Sequence, residues 1–291
     1  MAILDDRPQT ELRPPEAPIR PTIRIKPSTG WVALDLRELW EHRELLGFLV
    51  WRDLKVRYKQ TVVGVAWVIL QPLVMMTMMT IVFGKLARIE VPGLPYPIYL
   101  FSALVPWQLF SQALSVSGNC LVGNQQLLTK IYLPRLIIPI AAVLVGLVDF
   151  WFSFAVLLGL MFYYRISLHL TILVVPCLAL LAVVTALAMG LWLSALNVRY
   201  RDVGHMVPLM TQMLMYASPI IYPAERVPEA WRALYCLNPL VCVLEGFRWA
   251  LLGRPSPLGA QVVLSGMVTA VLLVGGLYYF RRMEKTFADI V

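Results

Sequence analysis

Residues 46–83, LGFLVWRDLKVRYKQTVVGVAWVILQPLVMMTMMTIVF, join a basic amphipathic segment to an apolar one of membrane length with no break between them. At helical spacing Leu46, Leu49, Val50, Leu54 and Tyr58 form an apolar stripe, and Arg52, Lys55 and Lys59 form a cationic face. A helix of this kind lies in the headgroup layer of a bilayer or against a soluble partner. Between Lys59 and Lys85 there are 25 residues without a charge, more than the roughly 20 that cross a hydrocarbon core as a helix. The junction predicts a transmembrane helix entered from its basic end.

Composition extends this reading to the whole chain. Apolar residues make up 59%, charged residues only 14%, and the mean hydropathy is +0.71, against soluble averages of about 45–50% and 25%. This is the composition of an integral membrane protein. The net charge of +8 comes from positives beside apolar runs, which points to anionic headgroups and argues against nucleic acid as a partner. Cys120, Cys177, Cys236 and Cys242 show no metal-ligand spacing, and His42, His169 and His205 are far apart, so no metal site is expected. Cys236 and Cys242 flank an Asn-Pro break, and the sequence leaves open whether they bridge.

Working outward along the chain, the first 30 residues hold six prolines, both charge signs and no apolar core of signal-peptide length. They read as a disordered cytoplasmic tail that the mature protein keeps. Residues 31–60 read as an amphipathic interface helix and residues 61–291 as a six-span membrane domain. Charge-poor runs predict six spans at 60–84, 98–121, 136–164, 170–198, 206–224 and 255–280. An even count puts both termini on one side. Of the Lys and Arg residues, 18 fall on the terminal side and its loops and 7 on the other, which makes that side cytoplasmic. Five spans carry internal prolines, at Pro72, Pro106, Pro139, Pro176, Pro208 and Pro219. Kinked helices of this sort need neighbours to re-satisfy their backbones. Between the last two spans, Pro228–Tyr235 and Leu240–Leu252 predict two short outer helices separated by Asn238-Pro239. These would dip into the bilayer as a re-entrant pair, with Glu245 and Arg248 at i, i+3 as an ion pair. The expected fold is all-α.

Chemistry is notable for what is missing. The one Gly-Lys pair, Gly84-Lys85, lacks the glycine spacing of a phosphate-binding loop, and no catalytic grouping is present. The chain is therefore expected not to be an enzyme, and to draw its energy from elsewhere. The segment GNQQLLTKIYLPR at 123–135 suits docking to another protein: Asn124 can cap a short helix. Its Leu127, Leu128, Ile131 and Tyr132 would form an apolar ridge flanked by Lys130. A helix lying on the membrane is the other reading of this loop. Asp149 is the single carboxylate well inside a span and needs either a proton or a partner. A proton relay and a hydrogen bond to a serine, threonine or tyrosine are both open. Trp67, Trp107, Tyr216 and Tyr222 read either as interface-belt and helix-packing residues or, for Trp67 and Tyr216 inside the apolar zone, as aromatic faces that pack against C–H surfaces of a ligand, and Met75 belongs to an adaptable methionine patch.

RDLKVRYKQTVVGVAW (52–67) with Gln71-Pro72, LVPWQLF (104–110), LVGNQQLLTKIYLPR (121–135), LNVRYRDV (196–203), SPIIYP (218–223), and LNPL with EGFRWALLG (237–253) resemble, in order and spacing, the permease subunits of type-two ATP-binding-cassette (ABC) exporters. That family moves O-antigen, capsule or teichoic-acid glycans. The resemblance covers about residue 31 to the end. It implies a homodimer with two separate ATPase subunits that bind ATP and magnesium, this chain holding no cofactor. It also implies export of a polyprenyl-diphosphate-linked polysaccharide from the cytoplasmic side of a bacterial inner membrane. On this likeness, spans one and five of two protomers would line the path, with Trp67, Met75, Tyr216 and Tyr222, and with Trp107 of span two, as its candidate residues. Arg52, Lys55, Arg57 and Lys59 would receive the lipid diphosphate. Asn124, Leu127, Leu128, Lys130, Ile131 and Tyr132 would couple to the ATPase, and Trp231, Asn238, Glu245 and Arg248 would guard the outer exit. The rivals are a secondary transporter or lipid flippase working through Asp149, which would show inverted repeats, and a membrane transferase, which would show acidic metal-binding loops. Neither pattern is found in the sequence; Asp202 is the only acid in either inner loop.

Overall fold

Pro95 and Pro97 start the helix on which the others pack. Pro95 is extended (φ −62, ψ 130) and a proline stands in the first turn, where no N–H is required. The computed structural model describes residues 40–59, 64–89, 91, 93–130, 133–254 and 259–290. The expected tail over residues 1–30 and the beginning of the interface segment lie outside the described residues. Among these residues every regular element is helical, with no strand.

The basic segment forms α1 (Arg43–Lys59) and span one forms α2 (Gly64–Met79), continued by a π-helical turn over Thr80–Leu86. Then come α3 (Tyr96–Gly123), the short α4 (Gln125–Lys130), α5 (Ile137–Tyr163), α6 (Val175–Arg199) and α7 (Val203–Ala217). After them stand α8 (Glu229–Cys236), α9 (Pro239–Leu252) and α10 (Ala260–Ile290). At the centre is α3, whose Ile98, Leu100, Phe101, Leu104, Val105 and Phe110 are buried beneath α5, α6 and α9. Small residues on α6 let it approach closely. A Cβ at Gly190 would stand 2.7 Å from Ser117 Cβ of α3, the small-residue contact by which helices pack where water provides no driving force. On the opposite face, Gly275 and Gly276 of α10 lie under Trp192 of α6, whose indole N–H donates to the Leu272 carbonyl at 3.1 Å.

Among the described residues four helical stretches are long and apolar enough to cross a membrane: Ala66–Leu86, Ile137–Tyr163, Leu170–Arg199 and Ala260–Glu284. The expected span 98–121 falls within α3, whose 28 residues make about 42 Å of helix. Its Gln108, Ser111, Gln112, Ser115, Ser117 and Asn119 hold it below that apolar standard. The expected span 206–224 is not one continuous helix. α7 has 15 residues, about 22 Å, short of a roughly 30 Å core. It stops because Ser218 precedes Pro219 and is driven into the extended region (φ −110, ψ 153).

The apolar stripe on α1 is covered by protein. Leu49 is buried against Ile137 and Ala141 of α5, with Leu45, Leu46 and Val50 around it. Facing outward are Phe48, Trp51, Lys55 and Lys59, at i, i+3, i+7 and i+11. The Lys55 ammonium lies 5.5 Å from the Trp51 ring centre, a cation–π arrangement suited to a headgroup layer.

Candidate functional site

A cleft of about 970 Å³ opens where α1, α2, α3, α5 and α7 converge. Its walls are mixed. Trp67 and Phe150 supply aromatic surface, while Gln71, Gln108, Gln112, Ser115, Ser153 and Thr211 supply uncharged hydrogen-bonding groups. Pro72 has no N–H, so the carbonyl of Val68, on the same wall, loses its helical donor. Neutral donors and acceptors beside aromatic faces match the surface of a hydroxyl-rich ligand, which needs hydrogen bonds and C–H contact more than charge.

At one end of the cleft is Asp149, its side chain only 8% exposed. Its Oδ2 lies 2.7 Å from Arg57 Nη2 and accepts from Gln112 Nε2 at 2.7 Å, and its Oδ1 accepts from the Tyr58 hydroxyl. Three elements therefore meet on one carboxylate: α1, α3 and α5. Burial, and next the bond to Asp149, push the Tyr58 phenol above its ordinary range, so Tyr58 is a donor at neutral pH. Of the partners the sequence leaves open for Asp149, the tyrosine is present, as Tyr58, and a guanidinium joins it. The guanidinium comes from α1, because α1 packs along α5 and its last turn reaches Asp149. An Arg-Tyr pair one residue before a charge-poor span was the available signal.

The other basic residues of α1 divide in two. Arg52 is engaged, through Nε to Asp53 Oδ1 at 2.8 Å and through Nη2 to Asn124 Oδ1 at 3.2 Å. Lys55 and Lys59 are exposed. Asn124 does not use its side chain to cap α4: its amide donates to the Cys120 carbonyl at 2.9 Å and its oxygen accepts from Arg52. It pins the end of α3 to α1, since the side-chain oxygen finds a guanidinium within reach. Leu127 is half-buried and packs inward beside Leu45, so it is not part of an outward ridge. Leu128 and Lys130 belong to α4, and Ile131 and Tyr132 lie outside the described residues.

Of the aromatic and methionine residues expected on a path, Trp67, Met75 and Tyr216 are exposed, and Tyr222 is half-buried with its hydroxyl donating to the Tyr216 carbonyl at 3.0 Å. Trp107 is 6% exposed and packs against Phe110, 5.7 Å between ring centres. It is a core residue of α3 and lines no open surface of this chain, because helical spacing from Phe110 turns it toward the same interior.

α8 and α9 carry a second polar cluster. Arg248 is fully buried, paired with Glu245 at 2.7 Å, and donates to the Ile220 carbonyl at 2.9 Å. Asn238 caps α9 by accepting from the Leu240 N–H at 3.1 Å, and its amide donates to Ser218 Oγ at 3.0 Å. Trp231 is exposed on α8. Cys236 and Cys242 are free thiols, the first accepting from Gln261 Nε2 at 3.0 Å. The sequence placed Glu245 and Arg248 together; burial of the pair against α3 needed the tertiary fold.

Residues 44–252 match the family model of the ABC-2 type transporter. Over 258 residues the chain is 27% identical to the O-antigen export system permease protein RfbA of Myxococcus xanthus, covering 88% of this chain and 98% of that protein. It is 28% identical over 250 residues to the protein of that name from Klebsiella pneumoniae, covering 85% and 95%. Similarity to the polysialic acid transport protein KpsM of Escherichia coli is 24% over 242 residues, covering 80% and 91%. With its apolar helices, the chain is a multi-pass membrane protein, and it belongs to the ABC-2 type transporter family.

Proposed function

We propose that this chain is the permease subunit of an ATP-driven exporter of a cell-surface polysaccharide, carried on a polyprenyl diphosphate and taken from the cytoplasmic side. Two copies assemble with two ATPase subunits, which bind the ATP and magnesium. The chain crosses the inner membrane six times, with both termini cytoplasmic, α3 being the span enclosed by other helices and α7, itself largely exposed, a span continued by residues 218–224. α8 and α9 form the outer re-entrant pair.

The observation that carries this reading is the cleft beside α2 and α7. It has aromatic and neutral polar walls, with one cation, Arg57 of α1, among its lining residues. A glycan needs the first surface and its diphosphate the second. The names of the relatives, O-antigen export and polysialic acid transport, support the same substrate class. The secondary-transport reading asks Asp149 to bind and release a proton. Three donors on that carboxylate suit a fixed positioning element better. Docking of the ATPase falls to the α4 segment, through Leu128, Lys130, Ile131 and Tyr132, with Asn124 and Leu127 holding its base. Affinity purification of the tagged chain from native membranes tests the assembly: a co-purifying ATPase of ABC type is expected. Recovery of the chain alone under conditions that preserve other membrane complexes would contradict it.

A further inference from the structure

We infer that Asp149 is an internal occupant of the Arg57 guanidinium, which Arg57 leaves when the diphosphate of a lipid-linked substrate arrives. This rests on the exporter reading above and names the residue that would take the substrate's charged group. Three observations carry it.

The two partners are unequally held. The Asp149 side chain is 8% exposed and that of Arg57 38%, so the cation sits at the rim and the anion inside. Losing Arg57 does not strip the carboxylate. Oδ1 keeps the Tyr58 hydroxyl and Oδ2 keeps the Gln112 amide at 2.7 Å. A buried charge that loses its sole partner is strongly penalised, but this one retains a donor on each oxygen. Arg57 can therefore exchange one oxyanion for another while Asp149 stays satisfied.

A diphosphate is the anion to which the exchange is favourable. It carries more negative charge than a carboxylate and presents pairs of oxygens that a planar guanidinium grips two at a time. Arg57 also sits where such a group would stop: at the end of α1, on the cleft that would take the attached sugars, with exposed Lys59 two residues on.

The test is equilibrium binding of radiolabelled farnesyl diphosphate to the full-length chain in phosphatidylcholine nanodiscs, with and without phosphatidylglycerol. Asp149→Asn removes the internal competitor, and binding should tighten roughly tenfold, as expected for a charge-assisted bond. Tyr58→Phe makes the carboxylate depend more on Arg57, and binding should weaken. Arg57→Lys in the Asp149→Asn background should cancel the gain. These opposite signs are not what a purely structural pin produces. If Asp149→Asn does not give a monodisperse protein, the weakening in Tyr58→Phe carries the test. Unchanged or weaker binding in a well-folded Asp149→Asn variant, or unchanged binding in Tyr58→Phe, would overturn the inference. So would farnesyl monophosphate binding as tightly as the diphosphate, or phosphatidylglycerol abolishing the signal, which would make bulk lipid the occupant. If no variant binds while the tagged chain still recovers its ATPase, this inference fails and the exporter reading stands. Binding without any ATPase leaves the anion site and removes the exporter.

Discussion

The guanidinium carbon of Arg248 lies 3.7 Å from the centre of the Tyr99 ring. That contact ties α9 to the head of α3, and the same side chain holds Glu245 and the Ile220 carbonyl beyond the end of α7. A single buried cation thus joins α9, the start of α3 and the segment after α7. Removing one member of a buried ion pair costs roughly 3–5 kcal/mol, whereas replacing both by apolar residues is often neutral. Arg248→Met should lower thermal stability in detergent sharply, and Arg248→Met with Glu245→Met should restore much of it. Equal losses in the single and double variants would show that the cluster does not act as a pair.

Close packing of α3 on α6 makes a second prediction. A Cβ at Gly190 would meet Ser117 Cβ at 2.7 Å, inside any contact that side chains tolerate. Gly190→Ala should destabilise the protein by about 1–3 kcal/mol, the usual range for overpacking, read as thermal unfolding in detergent. Ser117→Gly in the same chain should recover most of the loss. No recovery would place the strain elsewhere.

Around α4 the expectation separates two leucines. Leu127 packs inward, so Leu127→Asp buries a carboxylate and should reduce the yield of folded protein. Leu128→Asp and Tyr132→Asp should leave membrane insertion intact and uncouple ATP hydrolysis from export. Normal export with a normally bound ATPase in the Leu128→Asp variant would remove α4 as the coupling element.

Arg52, Lys55, Arg57 and Lys59, the basic residues in the second half of α1, are distinguished by their surroundings. Arg52 uses both sides of its guanidinium on Asp53 and Asn124, and Arg57 reaches Asp149, contacts that a lysine ammonium cannot reproduce in the same geometry. Arg52→Lys and Arg57→Lys should impair export, measured as surface polysaccharide, while Lys55→Arg and Lys59→Arg on the exposed face should not. If all four charge-conserving variants export like wild type, the segment is an anchor alone, since headgroup attraction treats the two cations alike.

Helix positions were legible wherever local chemistry sets them. Asn238-Pro239 separates α8 from α9 because an asparagine cap and a first-turn proline are both local signals. The break after α7 was missed, although Ser218-Pro219 carries the same kind of signal, because an apolar run to residue 224 outweighed it. Partnerships across the bundle were not legible. Tyr58 and Asp149 are 91 residues apart, and no periodicity predicts that α1 lies along α5. The stripe of α1 was read as apolar, but protein or lipid as its cover depended on that packing. Trp107 was assigned to a path by residue type, and only the burial of α3 shows it to be core.

The proposed exporter moves a lipid-linked glycan at the expense of ATP hydrolysed by a partner. The most direct measurement is the ATPase rate of the permease–ATPase complex reconstituted in proteoliposomes, with and without its polyprenyl-diphosphate-linked polysaccharide, alongside protease or lectin accessibility of the glycan on the far side. The account predicts that glycolipid stimulates hydrolysis and that glycan becomes accessible only when ATP and magnesium are supplied. Translocation that proceeds without the ATPase on a proton gradient, and is lost in Asp149→Asn, would contradict it.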